Sequence, residues 1–247
     1  MLTSMSLQGF IDLFGYGICH QIPQRSLQFG GLYFPDCARD TGIHIGFVAA
    51  LVAAGLVFFI QRRRGRKTPG NLPPAWALVV IACLLIPMAV DGASSYLGLR
   101  PTTNLLRYLT GMFAGIGAGS LVVPLLNSQN SQADKELKAF NKPRDLIVQI
   151  VVAVALSLIL LKAFGYLGQA AAFIEMAAIL AFFSSLNLLI LSTIMKRRRI
   201  LHFWQWLPWI GLALLMTLVE LAFLGLLRYL LLDQLLARFG LWPPVGP

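Results

Sequence analysis

Six long apolar segments alternate with polar connections along the chain. Most are close to the roughly 20 residues that a helix needs to cross the hydrocarbon core of a membrane. The segments cover residues 43–60, 75–97, 104–126, 145–168, 171–195 and 203–232. This pattern predicts an all-α polytopic membrane protein with about six transmembrane helices, which form a single integral membrane domain over residues 1–247.

Composition and charge indicate how the chain lies in the membrane. Charged residues make up only 12% of the chain, whereas soluble domains carry roughly 25%. The net charge of +10 indicates orientation rather than nucleic-acid binding, because the basic residues cluster in connections 61–74, 127–144 and 196–202. The positive-inside rule places these connections in the cytoplasm and both termini on the exoplasmic side of a bacterial plasma membrane. We also expect a short helix within 127–144.

Residues 1–42 form the predicted exoplasmic N-terminal segment. Apolar residues recur at helical spacing over residues 5–18, which predicts a short helix that lies in the outer membrane interface. The first 18 residues lack the basic start and compact apolar core of a cleavable signal peptide. The helix would therefore hold the residues that follow it, from Cys19 onward, near the membrane surface.

Ionisable side chains inside the apolar segments mark candidate functional positions, because a charge in hydrocarbon is costly without a partner. Asp91, Arg107 and Glu220 lie in the outer half of their segments or near the midplane, and we interpret them as catalytic residues around a shared cavity. Glu175 could pair with basic groups in the same region. Arg228 is better explained by an ion pair or by snorkelling to the interface.

Four arginines are expected on the exoplasmic side, where basic residues are normally few. Arginine forks match the oxygens of phosphate and carboxylate groups. A capping residue at the start of the third span, Thr103 or Asn104, would leave free N–H groups that also suit an anion. We therefore predict an anionic substrate. Its candidate ligands are Arg25, Arg39, Arg100, Thr103 and Asn104, beside Arg107.

Glycines repeat every four residues in the third span, at Gly111, Gly115 and Gly119. A dinucleotide-binding loop would need a preceding strand in a soluble unit. The repeat therefore predicts close packing against another helix. In the second span, we expect Cys83 to be an inert core residue.

Ligand-type side chains follow the N-terminal helix at Cys19, His20, Cys37 and Asp40. They offer sulfur, nitrogen and oxygen atoms, a set that zinc accepts, so zinc is a candidate cofactor. His44, one helical turn beyond Asp40, is a spare ligand. In an oxidising compartment Cys19 and Cys37 could instead form a disulfide. Thiol chemistry of Cys19 without a metal is the third interpretation, and these alternatives stay open.

These residues resemble the signature of a prokaryotic family of predicted multi-pass membrane proteins, known only as a domain of unknown function. Its first block, Cys-His-Gln … Arg-Ser … Cys-Ala-Arg-Cys-Thr-Gly, is matched by residues 19–21, 25–26 and 37–42, which adds Ser26 to the substrate-binding candidates. Its second block is matched by Asp91-Gly92, Arg100, Thr103-Asn104, Arg107 and Thr110-Gly111.

The resemblance covers roughly residues 15–120. Residues 43–126 are therefore the motif-bearing half of the membrane domain, and the spans over 145–232 carry no motif. The family usually has a third cysteine where this chain has Asp40. The zinc centre that the resemblance implies would therefore change from three cysteines and a histidine to Cys19, His20, Cys37 and Asp40. The resemblance implies no known activity.

Three functions are compatible with these patterns. The first is a membrane protein with an outward-facing polar site that binds a metal and an anionic lipid or lipid-linked substrate, with catalysis as an open possibility. The second is a transporter or flippase for an anionic substrate, which Glu220 near the midplane favours. The third is a structural or assembly subunit, anchored by the Trp-rich segment 203–209 and the tail 239–247. Membrane lipids are the expected partners; the residues indicate neither a nucleic acid nor a particular protein.

Overall fold

The computed structural model describes residues 6–130, 133–194 and 205–234. Within these ranges the chain is mostly helical, and six helical segments are long and apolar enough to cross a membrane. The predicted all-α polytopic architecture is thereby confirmed. Predicted features that lie outside the described residues are the basic connection 196–202, the start of the Trp-rich segment and the tail 239–247.

The six spans occur in the predicted number and order. They are formed by α2 (Ala38–Arg63), α3 with α4 (Ala75–Cys83 and Ile86–Tyr96), α5 (Asn104–Gln129), α6 (Pro143–Leu167), α7 (Ala170–Ile194) and α8 (Leu207–Arg228). Their ends differ from the predicted ones by a few residues. The difference is largest at α2, whose polar first turns contain Arg39, Asp40 and His44 and therefore escape a search for apolar runs.

The second span is interrupted between α3 and α4, where hydropathy predicts one helix over 75–97. Pro87 lies in the first turn of α4. Proline has no N–H to donate and its ring crowds the preceding turn, so it breaks or kinks a helix. Hydropathy does not register this break, because leucines and isoleucines surround it.

The N-terminal helix α1 covers Leu7–Tyr16 and confirms the helix predicted over 5–18. Ser6 caps it by accepting a hydrogen bond from the Gly9 N–H at 3.1 Å. The Gln8 side chain bonds both the N–H and the carbonyl oxygen of Tyr33, at 2.9 and 3.2 Å. Helix α1 is thus fixed to the strand that follows it, and its position in the membrane interface stays a prediction.

A β-hairpin precedes α2 and departs from the purely helical prediction. Strands β1 (Ser26–Phe29) and β2 (Leu32–Cys37) pair antiparallel. Their turn is Gly30-Gly31, with φ values of +60° and +81° that favour glycine in a two-residue hairpin turn. Since β2 leads directly into α2, the hairpin positions Cys37 at the start of that helix.

A second small sheet joins two of the basic connections. Strand β3 (Pro69–Asn71) pairs in parallel with β4 (Asp134–Lys138). The short helix predicted within 127–144 is therefore wrong for the described residues between α5 and α6. The Asp134 N–H donates to the Thr68 carbonyl oxygen at 2.9 Å, a partner far away in sequence that local propensity does not reveal.

Helix α2 packs most extensively against α5, and glycines make the close contact possible. A Cβ atom at Gly42 would lie 2.2 Å from a backbone oxygen of α5, and one at Gly111 would lie 2.0 Å from a backbone oxygen of α2. The two backbones therefore approach as closely as glycine allows. This confirms the packing predicted from the glycine repeat and holds the starts of both helices together.

Gly115→Ala is expected to lower the free energy of unfolding by about 1–3 kcal/mol, the usual cost of overpacking. The new Cβ would lie 2.0 Å from the backbone oxygen of Ile43, which no rotamer change can relieve. Thermal unfolding of the full chain in detergent measures the change. Gly55→Ala in α2 is the control, since nothing lies within 4 Å of a Cβ there. Equal effects of the two substitutions would contradict the close helix contact.

Candidate functional site

Cys19, Cys37 and Asp40 form a compact group at the start of α2, which we call the thiol centre. One ligand atom from each residue lies within 4.8 Å of the others. The Cys37 backbone N–H donates to Cys19 Sγ at 3.1 Å, and the Cys37 thiol donates to Asp40 Oδ2 at 3.1 Å. The end of β2 and the first turn of α2 thus bring together three of the four predicted metal ligands.

The two thiols of this centre differ in acidity. A hydrogen bond from Cys37 holds the pKa of Cys19 below its usual value, and the same interaction, together with burial, raises the pKa of Cys37 well above its usual value. Both cysteines are free thiols in the structure, and the disulfide between them stays a prediction. The Cys37 thiol has two acceptors within reach, the Cys19 sulfur and the Asp40 carboxylate.

The spacing of the thiol centre fits zinc. Tetrahedral zinc with Zn–S bonds of about 2.3 Å places two sulfur ligands roughly 3.8 Å apart, which is compatible with atoms that all lie within 4.8 Å. His20 is exposed and does not belong to this group. It directly follows Cys19, and neighbouring side chains in an extended stretch point to opposite sides. His20, the predicted fourth ligand, therefore lies outside the thiol centre.

A pocket of about 110 Å³, which we call the thiol pocket, opens beside the thiol centre. His20 and three of the predicted anion ligands also line it: Arg25, Arg39 and Arg107. The Arg25 guanidinium lies over the ring of Tyr96, 5.8 Å from its centroid. The N-terminal segment, α2, α4 and α5 thus converge here, and the residues predicted to bind a metal and an anion meet in one place.

Asp91 does not line the thiol pocket but holds one of its arginines. Its buried carboxylate accepts a hydrogen bond from Arg39. It also accepts bonds from Arg100 Nη2 at 2.9 Å and Thr102 Oγ1 at 2.8 Å. Asp91 is therefore placed as a positioning residue for Arg39, with Arg100 as its second cationic partner outside the pocket. Its catalytic role stays a prediction.

Asn104 ties the N-terminal segment to α5. Its side-chain amide donates to the Ser26 carbonyl oxygen at 3.2 Å, and its oxygen accepts a bond from Arg107 Nη1 at 2.9 Å. Thr103 caps α5, as expected, by accepting a bond from a first-turn N–H at 3.2 Å. Thr103, Asn104 and Ser26 do not line the pocket themselves, and they hold residues that do.

Glu220 is not brought to the thiol pocket. It lies in α8, where its Oε2 accepts a hydrogen bond from the Asn187 amide of α7 at 3.1 Å. The same amide donates to Thr217 Oγ1 at 3.0 Å. These bonds form a polar contact between α7 and α8. The sequence alone does not show whether Glu220 lines a cavity or packs between helices, because that depends on the rotation of α8 about its axis.

Arg228 of α8 fixes the backbone that carries Cys19. It donates hydrogen bonds to the carbonyl oxygens of Tyr16 and Cys19 and lies over the Tyr16 ring, 4.5 Å from its centroid. The sequence suggested an ion pair or snorkelling for this residue. Its contacts instead secure the N-terminal segment to the last described span.

A second group of ligand-type side chains, which we call the buried triad, consists of Asp36, His44 and Glu175. His44 was expected as a spare ligand of the thiol centre, and Asp36 was not singled out. All three are buried, and one ligand atom from each lies within 4.8 Å of the others. Asp36 and His44 flank the thiol ligands in sequence, but Glu175 comes from a distant helix, so the sequence offered no signal for the set.

Cys83 is exposed on α3, so the expectation that it packs in the core is wrong. Helix α3 packs mainly against α5, and its residues other than Ala77 and Ile81 are exposed. Cys83 is also remote from the thiol pocket. It therefore serves as an internal control for experiments on the other two cysteines.

A larger cavity of about 360 Å³ lies where the connections that carry β3 and β4 meet. Its lining includes four basic side chains, which are Arg66, Lys67, Lys138 and Lys142. None of the predicted site residues lines it. The two cavities thus lie at opposite ends of α2, one at its polar start and one at its basic end.

Comparisons with known proteins place these features in a group of relatives. A family model described as a predicted membrane protein, DUF2085, matches residues 19–121. An uncharacterized protein of Methanocaldococcus jannaschii is 37% identical over 108 residues, which cover 44% of this chain and 63% of that protein. One from Methanothermobacter thermautotrophicus is 36% identical over 104 residues, which cover 42% of this chain and 83% of that protein. No solved structure matches the chain.

The matched segment therefore spans somewhat less than two thirds of the first of these relatives. The match to the family model, over residues 19–121, contains the thiol centre and the three arginines of the thiol pocket, whereas Glu175 and Glu220 lie beyond it. The resemblance seen over residues 15–120 agrees with this range. Both relatives are archaeal proteins, and the bacterial location and the orientation of the termini stay predictions.

Proposed function

We propose that this chain, which belongs to the DUF2085 family of predicted membrane proteins, binds the anionic group of a lipid or lipid-linked molecule beside a zinc ion. The observation that carries this proposal is that the thiol centre and three arginines line the same pocket. Each set on its own would have a structural explanation. Together they offer one cation site and one anion site within the dimensions of a small headgroup.

The thiol centre would supply three protein ligands to zinc. Sites with three protein ligands keep a position open for water or substrate, whereas structural sites are closed by four. Zinc bound there would act as a Lewis acid and would lower the pKa of a bound water to about 7. The exposed His20 also lines the wall of this pocket.

The arginines would orient the anion. Arg39 is held by Asp91, and Arg107 is held by Asn104, so both guanidinium groups are fixed before a ligand arrives. Such preorganisation reduces the entropy that binding costs. Arg25 is exposed and lies at the side of the pocket beside Tyr96. Forked donors of this kind match phosphate or carboxylate oxygens.

The position of the pocket favours a substrate at the membrane surface. The thiol pocket lies at the start of α2, and the basic residues of connection 61–74 follow the end of the same helix. The positive-inside rule assigns that basic end to the cytoplasm, so the pocket would open toward the exoplasmic leaflet. The two features that favour a transporter lie elsewhere: Glu220 accepts a hydrogen bond from Asn187, and the glycines of α5 pack against α2.

Metal content tests the proposal. We expect the purified full chain to bind one zinc ion at the thiol centre, and Cys19→Ser or Cys37→Ser to weaken binding at least tenfold, as loss of a direct ligand should. Cobalt substitution reports on this site alone, because the thiolate-to-cobalt absorption requires a sulfur ligand. The exposed Cys83 provides the control, and Cys83→Ser should leave the absorption unchanged. A wild-type protein without this absorption, with Cys19 and Cys37 disulfide-bonded, would overturn the zinc site.

A further inference from the structure

We propose that the buried triad binds a divalent first-row metal ion at a second site, separate from the thiol centre. Asp36 lies at the end of β2, His44 in the second turn of α2, and Glu175 in the second turn of α7. Asp36, His44 and Glu175 are 0%, 5% and 0% exposed. Carboxylates are almost never buried to this extent unless they are paired or coordinate a metal.

The hydrogen bonds within the triad leave two oxygens without a donor. His44 Nδ1 lies 2.9 Å from Asp36 Oδ2 and 3.0 Å from Glu175 Oε1. One N–H group can point at only one of these oxygens. Asp36 Oδ2 and Glu175 Oε2 are both buried with no hydrogen-bond partner. Thr41 Oγ1 donates to the remaining Asp36 oxygen at 2.8 Å, so the unsatisfied Asp36 oxygen is the one beside His44.

The charge of the triad is the next observation. It holds two carboxyl groups and one imidazole, so without a metal the charges balance only if one carboxyl group keeps a proton. Among the described residues, His44 is the only ion-pair partner of Asp36 and of Glu175. An uncompensated charge in a protein interior is strongly unfavourable. A divalent ion between the three side chains could take the place of that proton and bind both carboxylates.

The distances within the triad match those of metal ligands. Bonds of about 2.1 Å at right angles, as in a six-coordinate ion, place neighbouring ligand atoms roughly 3.0 Å apart. The imidazole nitrogen lies 2.9 and 3.0 Å from its two carboxylate oxygens. The three atoms could therefore occupy one face of a coordination sphere without moving apart, and Glu175 Oε2 is available as a further ligand.

The donor set indicates which ions suit this site. Imidazole nitrogen favours zinc, iron and other first-row ions, whereas carboxylate oxygens also accept manganese. The triad contains no sulfur, which distinguishes it from the thiol centre. We therefore expect an ion such as Mn²⁺, Fe²⁺ or Zn²⁺, and we exclude the thiophilic Cu⁺.

Aromatic rings separate the triad from solvent. The Phe182 ring packs edge-on against His44, with centroids 5.2 Å apart, and Phe47 packs against Phe182 at 4.8 Å. An apolar shell of this kind limits water access and slows ligand exchange. The ion would join β2, α2 and α7, and so attach the half of the chain that carries the thiol pocket to the helices that follow.

The two metal sites share the start of α2 but no ligand. Asp36 precedes Cys37 in sequence, and His44 follows Asp40 by one helical turn, so the two sets use different residues of the same segment. Cys19→Ser should therefore weaken metal binding at the thiol centre without removing the ion from the triad. The two proposals can fail independently.

Binding of Mn²⁺ to the full chain in detergent tests the second site. Electron paramagnetic resonance of free Mn²⁺ gives the affinity, and we expect one site in the wild-type protein. Glu175→Gln and Asp36→Asn keep the side-chain shape and should each weaken Mn²⁺ binding at least tenfold. Glu220→Gln is the matched control, because Glu220 is also a glutamate of a candidate span, and within the described part of the chain it accepts a hydrogen bond from Asn187 and not from a triad residue. The Glu220→Gln variant should bind Mn²⁺ with the affinity of the wild-type protein.

A wild-type protein that binds no Mn²⁺ and retains no divalent ion after purification other than zinc at the thiol centre would overturn this proposal, as would equal binding by Glu175→Gln and Glu220→Gln. If the triad variants fail to fold, the wild-type spectrum decides instead. Bound Mn²⁺ should then show magnetic coupling to a single imidazole ¹⁴N, from His44. A bound ion without this coupling would also contradict the assignment.

Discussion

Asp91→Asn is expected to lower the free energy of unfolding by about 3–5 kcal/mol, the range found when one partner of a buried ion pair is removed. The Asp91 carboxylate accepts hydrogen bonds from Arg39, Arg100 and Thr102, and Asp91 itself is 1% exposed. An asparagine amide would keep one acceptor oxygen but would place N–H donors against a guanidinium. Arg39 would remain largely buried, and its Nε is already without a partner.

The comparison for Asp91 is Asp134→Asn. Asp134 pairs with Lys67 at 3.2 Å, but the Lys67 side chain is 78% exposed, and exposed pairs contribute roughly 0–1 kcal/mol. The free energies of unfolding of the two variants, measured in a mixed-detergent titration, should therefore differ by several kcal/mol. Similar stabilities would show that the Asp91 network is not a structural requirement, and that Arg39 is held by other contacts.

Arg107→Gln is expected to weaken binding of an anionic headgroup by roughly 10- to 100-fold. A hydrogen bond to a charged group contributes about 1.5–3 kcal/mol, and each 1.4 kcal/mol is a factor of ten in affinity. Glutamine keeps a donor for Asn104, so the contact that ties α5 to the N-terminal segment is retained. Titration of the solubilised chain with short-chain phosphatidylglycerol, followed by native mass spectrometry, measures the affinity.

Two comparisons make the Arg107 result specific. Arg144→Gln changes an exposed arginine at the start of α6, away from the thiol pocket, and should bind phosphatidylglycerol like the wild type. Inorganic phosphate in place of the lipid distinguishes a lipid headgroup from a soluble anion. If Arg107→Gln and Arg144→Gln bind the lipid equally, the thiol pocket is not the anion site.

The spans were predictable because membrane insertion depends on the summed hydropathy of a segment, which tolerates errors at single residues. The ends of the spans depend on details that hydropathy ignores. Polar residues at the start of α2 belong to the helix, because Asp40 and His44 find partners in the folded chain. Pro87 interrupts the second span through its missing N–H group.

Part of the thiol pocket could also be inferred from the chain. Cys19, Cys37 and Asp40 lie in one exoplasmic stretch by the topology prediction, and the arginines that accompany them were expected on the same side. Shared sidedness narrows the search to one end of the helices. It does not give side-chain direction, so the sequence could not show that His20 stays outside the thiol centre and that Glu220 contacts α7 instead.

The hairpin and the buried triad were missed for different reasons. Gly30-Gly31 between apolar residues is a recognised hairpin signal, so the sequence does contain a local indication of β1 and β2. The triad has no such local signal. Its imidazole is in α2 and one of its carboxylates is in α7, and only tertiary packing brings them within 3.0 Å of each other.

The glycine contact between α2 and α5 has a consequence for mutational tolerance. Added Cβ atoms at Gly42, Gly46, Gly111 and Gly115 would all overlap backbone atoms of the opposite helix. Neither helix can accept even a methyl group on its facing side unless both backbones move apart together. We therefore expect substitutions at these four glycines to be tolerated only when a second change lets the two helices separate.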